Sequence, residues 1–246
     1  MVNKPNLNNE IDWYEKAQDR VNTLWSEQYG ASNHGKTFDM KMSSALALIA
    51  CVQNWELLLS RWHIRAIVRD SSEYRKFLTA SAANLGLSGT PAQLHTAGYL
   101  ATTLHIPSHL TIRQVEAMLD ARDRNVTFKS KRDAMSLSAR RLAPPHMAKM
   151  RKITDDDWRL LSLAQSVRNA IAHGSGQSLR EMNAAIQDMK TSTDPTDASL
   201  GGRKTSVQAS GIGTYLYSYF DHSLGSPLVR LTYICSRMRN IGTKLR

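Results

Sequence analysis

The sequence carries almost no signal for β-structure. Across 246 residues there is no Asn-Gly or Asp-Gly pair to seed a tight hairpin, and alternating apolar and polar runs are missing. That argues against sandwiches, barrels and doubly wound sheets. Cysteine is also scarce. Cys51 and Cys235 are the only two, far apart and both in apolar helical stretches. Two free thiols in a reducing compartment fit this better than a disulfide framework. The first ten residues have no apolar core, so no signal peptide is read there. The apolar run 45–52 is too short to span a bilayer. These absences lead to the expectation of a cytoplasmic protein with no membrane partner.

Signatures of cofactor chemistry are missing as well. Ser175-Gly176 and Gly211-Ile212-Gly213 read as turn glycines, with neither the lysine nor the strand context of a phosphate loop. His95, His105 and His109 fall at spacings that match no ligand pattern, and no cysteine pair accompanies them. No metal and no cofactor are expected. A serine–histidine–acid triad has no nucleophile-elbow motif to support it.

What the chain does have is apolar content, positive charge and helical spacing. Hydrophobic residues make up 41 %, enough for a sizeable core. Lys and Arg number 32 against 21 Asp and Glu, a net charge of +11. That balance favours a polyanionic partner, nucleic acid before an anionic membrane, although a basic protein with no such partner is also compatible with it.

Apolar residues recur at helical intervals through most of the chain, predicting an all-α fold. Helices are expected over 11–29 and 39–69, the second apolar on most sides and therefore central and buried. Glu56 interrupts that apolar helix, and a charge there needs a partner or a wet pocket. Shorter helices are expected over 72–85, 91–104, 112–124 and 130–142, the last stopping at Pro144-Pro145. Together they make residues 71–150 an elaboration within a single domain, 1–246. Thr154 followed by Asp155, Asp156 and Asp157 marks a strong helix start. That helix runs to His173, and Gly174 stops it. Ser178 with Glu181 reads as a capping box opening a helix to 189. Residues 190–213, rich in Ser, Thr, Gly and Asp, are expected to form a mobile loop. Helices over 213–222 and 227–241 finish the chain.

On a wheel of about 100° per residue, Leu160, Leu163, Ala164, Val167 and Ile171 form the core face of the helix that ends at His173. Asn169 and His173 share a second face with Gln165 and Trp158, nearly opposite, and Arg168 lies on the flank. A histidine at a helix C-terminus can hold or release a proton near neutral pH. An arginine suits a phosphate. Together they form a minimal kit for metal-free RNA cleavage, in which a base takes the 2′-hydroxyl proton and a cation stabilises the phosphorane. The same residues also suit an ordinary exposed helix end. Trp158 on that face calls for cover, which a second subunit could supply.

The stretch Ser166-Val167-Arg168-Asn169-Ala170-Ile171-Ala172-His173-Gly174 resembles the Arg-x4-6-His signature of the HEPN superfamily. Asn54-Trp55-Glu56-Leu57-Leu58-Leu59 looks like the Trp-Glu helix of its RiboL-PSP-HEPN branch, and Asn125-Val126-Thr127-Phe128 like a segment that precedes the signature helix there. The resemblance implies an all-α antiparallel helical bundle, here with an additional helical insertion, and a metal-independent endoribonuclease acting as a homodimer, in anti-phage defence or a toxin–antitoxin system. It implies His173 as the catalytic base or acid, Arg168 as the phosphate contact and Asn169 as the residue that orients His173. Glu56 is the expected supporting carboxylate, orienting Arg168 or His173. An antitoxin or another component of a defence complex is a possible partner besides RNA. Lys129, Lys131, Arg132, Arg140, Arg141, Lys149, Arg151 and Lys152 form a basic run that suits the RNA backbone, or simply a solvated face. The alternative is a non-catalytic helical module that binds RNA or protein.

Overall fold

The computed structural model describes residues 4–31, 37–85, 107–119, 128, 130–202, 206–220 and 228–246. These residues are mostly helical. The helices are α1 (Asn8–Ala31), α2 (Thr37–Arg69), α3 (Ser72–Leu85), α4 (Ile112–Leu119), α5 (Lys131–Arg141), α6 (Pro144–Arg151), α7 (Asp155–His173), α8 (Gly176–Met189), α9 (Pro195–Ser199), α10 (Ile212–Tyr217) and α11 (Arg230–Thr243). The expected helix over 91–104 lies outside the described residues, as do His95, His105, Lys129 and the segment Asn125-Val126-Thr127.

Several local expectations are corrected. Pro144-Pro145 does not only stop α5. Pro144 opens α6, where proline's fixed φ and missing N–H suit a first turn. The cap of α8 is Ser175 rather than Ser178. Ser175 Oγ accepts from the Ser178 backbone at 3.1 Å, and Glu181 is engaged by Gln177 instead. The region 190–213 contains α9, whose cap Asp194 accepts from the backbone of Thr196 and Asp197, and a 3₁₀ turn at Ala209–Gly211. A short antiparallel pair, Tyr219–Phe220 with Leu228–Val229, stands where helix ends were expected.

Clustering of contacts divides the chain into two compact units, Met1–Asn8 with Leu59–Arg151, and Asn9–Leu58 with Lys152–Arg246. The boundary falls inside α2. In the first unit α3 packs on α5 and α5 on α6. Trp62, Ile67, Tyr74, Val115, Leu142 and Met150 form its core. Arg69 Nη1 donates to the Pro5 carbonyl at 3.0 Å, and Ser71 Oγ to that of Ser108 at 3.2 Å.

In the second unit α7 lies chiefly against α8 and then α11. Helix α11 also comes close to α1. A Cβ on Gly242 would stand 2.3 Å from the Tyr14 ring, so only glycine permits that approach. Tyr14 Oη donates to the Met238 carbonyl at 2.7 Å, Trp25 Nε1 to Thr232 Oγ1 at 3.2 Å, and Arg246 reaches Asp12 and Glu15. Gln18 Nε2 ties α1 to α2 through the Cys51 carbonyl at 3.0 Å.

Helix α2 is less uniformly enclosed than its composition predicts. Leu48, Cys51, Val52, Trp55 and Leu58 are buried, but Met42 and Leu46 are 52 % and 59 % exposed. Its apolar character also extends past 45–52. The stretch Asp39–Arg69 contains an 18-residue window of mean hydropathy 1.4, long and apolar enough to cross a membrane, with 39 % of that window buried within the protein. Core helices of soluble proteins have the same property.

Candidate functional site

The signature helix α7 is fixed at both ends. Thr154 Oγ1 accepts from the Asp157 backbone at 3.2 Å, and the Asp157 carboxylate accepts from the Thr154 backbone at 2.8 Å, a closed capping box. At the other end Gly174 takes φ +57° and returns its N–H to the Ala170 carbonyl. That left-handed stop needs a residue without a Cβ.

Asp157 does more than cap. Its side chain is fully buried and also takes Lys244 Nζ at 2.5 Å and Arg237 Nη2 at 3.5 Å. Arg237 donates in turn to Asp197, also fully buried, through Nε at 3.2 Å and Nη2 at 2.8 Å. Tyr233 Oη donates to the same carboxylate at 2.7 Å. Hydrogen bonding to Asp197 holds the Arg237 guanidinium above its ordinary pKa, while burial first and Asp197 second do the same for the Tyr233 phenol. Two buried carboxylates, two cations and a phenol thus join the first turn of α7 to α9 and α11. Beyond Thr154, none of the partners of Asp157 and Asp197 in this cluster could be read from the sequence, because they lie 36 to 87 residues away.

Along α7 the wheel holds in part. Leu160, Leu163, Ala164 and Val167 are fully buried, and Ile171 is half-buried. Trp158 is corrected. It is 7 % exposed, covered by its own chain, so no second subunit is needed to shield it. The polar face is therefore enclosed at its beginning and opens only toward its end, where Asn169 is half-buried and His173 exposed.

Helices α2 and α7 bring two of the four expected site residues together. Arg168 Nη2 donates to Glu56 Oε1 in a close ion pair, and Gln165 Nε2 donates to the same oxygen at 3.3 Å. Glu56 was expected to orient Arg168 or His173, and the partner is Arg168. Both side chains are about three-quarters covered. Arg168 Nε is buried with no acceptor among the described residues. Gln165, passed over in the sequence as a bystander on the wheel, belongs to this cluster. His173 is the last residue of α7, and among the described residues no hydrogen bond or ion pair joins it to Arg168, Asn169 or Glu56. Five residues along a helix separate two side chains by about 140° around its axis, which accounts for the divergence.

The basic run divides by exposure. Lys131, Arg132, Arg140, Arg151 and Lys152 are exposed, whereas Arg141 and Lys149 are half-buried. Burial pulls the Arg141 guanidinium below its ordinary value, and its charge acts on buried His63. His63 is fully buried against the edge of Phe128, with no hydrogen-bond partner on either ring nitrogen among the described residues, and burial pushes its pKa down to about 3. His146, also in the basic run, is buried edge-on to Trp62 and likewise shifted down by burial. His109 is exposed. Among the described residues no group of three or more His, Cys, Asp and Glu is placed to hold a metal ion.

The arrangement defines a helical protein in which the anchored helix α7 carries an arginine clamped by a carboxylate and ends in an exposed histidine. The chain matches no protein-family model, no curated protein and no solved structure.

Proposed function

We propose that the protein is a metal-independent endoribonuclease of the HEPN type, cleaving RNA by attack of the 2′-hydroxyl on the adjacent phosphate. The observation that carries the reading is the Glu56–Gln165–Arg168 cluster, which holds a guanidinium in one orientation on the helix that ends in His173. A fixed guanidinium is a preorganised contact for a phosphate whose charge grows in the transition state. His173 is exposed and reaches the reacting oxygens as base or acid, and Asn169, one turn earlier, steers its ring.

Because Arg168 and His173 diverge around one helix, the reading places the working site at a homodimer interface where each copy supplies what the other lacks. The basic residues of α5 and α6 attract the RNA backbone. A role in defence or in a toxin–antitoxin pair follows from the resemblance to HEPN proteins. The exposed, unpaired state of His173 favours one other reading, a non-catalytic RNA-binding module.

The test is cleavage of total RNA in EDTA by the wild type and by His173→Ala, Arg168→Ala and Glu56→Gln. Loss of either catalytic residue is expected to lower the rate by at least about 10²-fold. Glu56→Gln, which loosens Arg168 without removing it, is expected to cost about 10-fold. Wild-type protein that binds RNA without cutting it would establish the binding module instead.

A further inference from the structure

The two cysteines of the chain meet inside the second unit. Cys51 lies on α2 and Cys235 on α11, and contacts made by other residues give the register of these helices. The hydrogen bond from Gln18 to the Cys51 carbonyl, and the Tyr14 and Trp55 rings 6.2 Å apart, set α1 antiparallel to α2. Tyr14 with Met238, Trp25 with Thr232 and Arg246 with Asp12 set α1 antiparallel to α11 as well. Helices α2 and α11 therefore run parallel. They approach closely where a Cβ on Gly242 would stand 3.1 Å from Leu58 Cδ2. About seven residues back along each helix, two turns and so the same face, stand Cys235 and Cys51.

Parallel helices in this register bring the two side chains face to face. The thiols are close enough to share a hydrogen bond, and both residues are buried, Cys51 at 0 % and Cys235 at 1 % exposure. The neighbouring thiol and then burial raise the Cys51 pKa, so the pair rests protonated and inert in the closed fold. Because the sulfurs face each other, an opening of α11 from α2 uncovers both at once. The helices that carry them are also two supports of α7. Glu56, little more than a turn beyond Cys51, clamps Arg168, and Lys244 and Arg237 on α11 hold Asp157. A covalent bond between the sulfurs ties those supports together.

We propose that Cys51 and Cys235 are a site of disulfide formation, made by exchange with a small-molecule disulfide such as oxidised glutathione. While α11 is open, the thiolate of one cysteine attacks one glutathione sulfur and displaces the other half as a thiolate. The second cysteine, as its thiolate, then attacks the protein sulfur of this mixed disulfide and displaces the remaining glutathione. The two protons given up by the cysteines pass to the two glutathione thiolates. Two protein thiols are oxidised and one glutathione disulfide is reduced. Closure of α11 then buries the new bond away from reductants. The site is independent of the ribonuclease reading, and neither depends on the other for its test.

By linkage, the fold favours the disulfide by the factor by which the disulfide favours the fold, so both sides can be measured. The full chain is refolded into buffers of stepped oxidised-to-reduced glutathione ratio, and a second set is held in urea at the same ratios. Acid quenching, alkylation and intact mass then read the fraction oxidised. The equilibrium constant for the Cys51–Cys235 disulfide is expected to be at least about 10-fold larger in the folded chain. The oxidised protein is expected to unfold at a urea midpoint about 1 M above that of the reduced protein. Cys51→Ala is expected to unfold at one midpoint in oxidising and reducing buffer alike, and the wild-type comparison carries the test if this variant does not fold. An equilibrium constant no larger in the folded chain than in urea overturns the proposal. So does a disulfide that links two chains, or an oxidised protein no more stable than the reduced one.

Discussion

Replacing Asp197 by alanine removes the centre of the buried ionic cluster. In the native protein both carboxylate oxygens are used, Oδ1 by Tyr233 and Arg237 Nε and Oδ2 by Arg237 Nη2. Arg237 is 22 % exposed and Asp197 is not exposed at all, so water compensates the lost carboxylate only in part. After the substitution Arg237 retains Asp157 at 3.5 Å, a carboxylate already shared with Lys244. Stranding one partner of a buried ion pair costs about 3–5 kcal/mol. The orphaned Tyr233 hydroxyl adds a penalty of the same kind rather than a new one, so the expected loss stays in that range. For a chain of this length it corresponds to a fall in Tm of about 6–20 °C. Urea unfolding followed by circular dichroism reads the change. The companion experiment replaces both partners, Asp197→Leu with Arg237→Met. A neutral pair of similar volume strands no charge, so the double variant is expected to be more stable than Asp197→Ala alone, with marked non-additivity. A loss below about 1 kcal/mol for Asp197→Ala, or a double variant that simply sums its singles, would refute the reasoning.

Stability is also expected to fall in mild acid because of His63. Its folded pKa of about 3 lies below the ordinary 6.5, so between those values the unfolded chain binds a proton that the folded one does not. Stability is complete above about pH 6.5 and declines toward pH 3, by up to about 1.4 kcal/mol per pH unit for this one group. His63→Phe, measured by urea unfolding from pH 7 to pH 4.5, is expected to flatten the dependence, and an unchanged slope would count against it. The two thiols are expected to be unreactive in the folded protein. The neighbouring Cys235 thiol and then burial hold the Cys51 thiol well above its ordinary value, and both residues are buried. A chromogenic disulfide reagent is expected to titrate both thiols only in denaturant, and rapid reaction of the native protein would contradict this.

The parts legible in the sequence were those with local causes. Thr154, Asp157 and Gly174 act within a turn of the chain they bound, so the limits of α7 could be read directly. Leu160, Leu163 and Val167 follow one period and therefore one face. Trp158 shows where that reasoning stops. A wheel gives direction about a single helix, but whether a face is covered depends on helices elsewhere in the chain. The Arg168–Glu56 pair is of the same type, joining residues 112 positions apart. Glu56 could be flagged because a carboxylate in an apolar helix needs a partner, whereas Asp197 gave no warning in a segment rich in Ser, Thr and Asp. The partnership of Cys51 with Cys235 was equally invisible, since distance along the chain said nothing of distance in space.

The nesting of the two units also sets an order of events during synthesis. The second unit is built from residues on either side of the stretch 59–151, namely 9–58 and 152–246, so its opening segment waits while that stretch is made. Asp157 meets Lys244 only 87 residues later. At ribosomal rates of about 5–20 residues per second that delay is roughly 4–17 s. Until then the helix bearing Arg168 and His173 lacks its anchor to α11. A growing chain thus carries Arg168 together with its partners Glu56 and Gln165 well before the start of their helix is tied to α11.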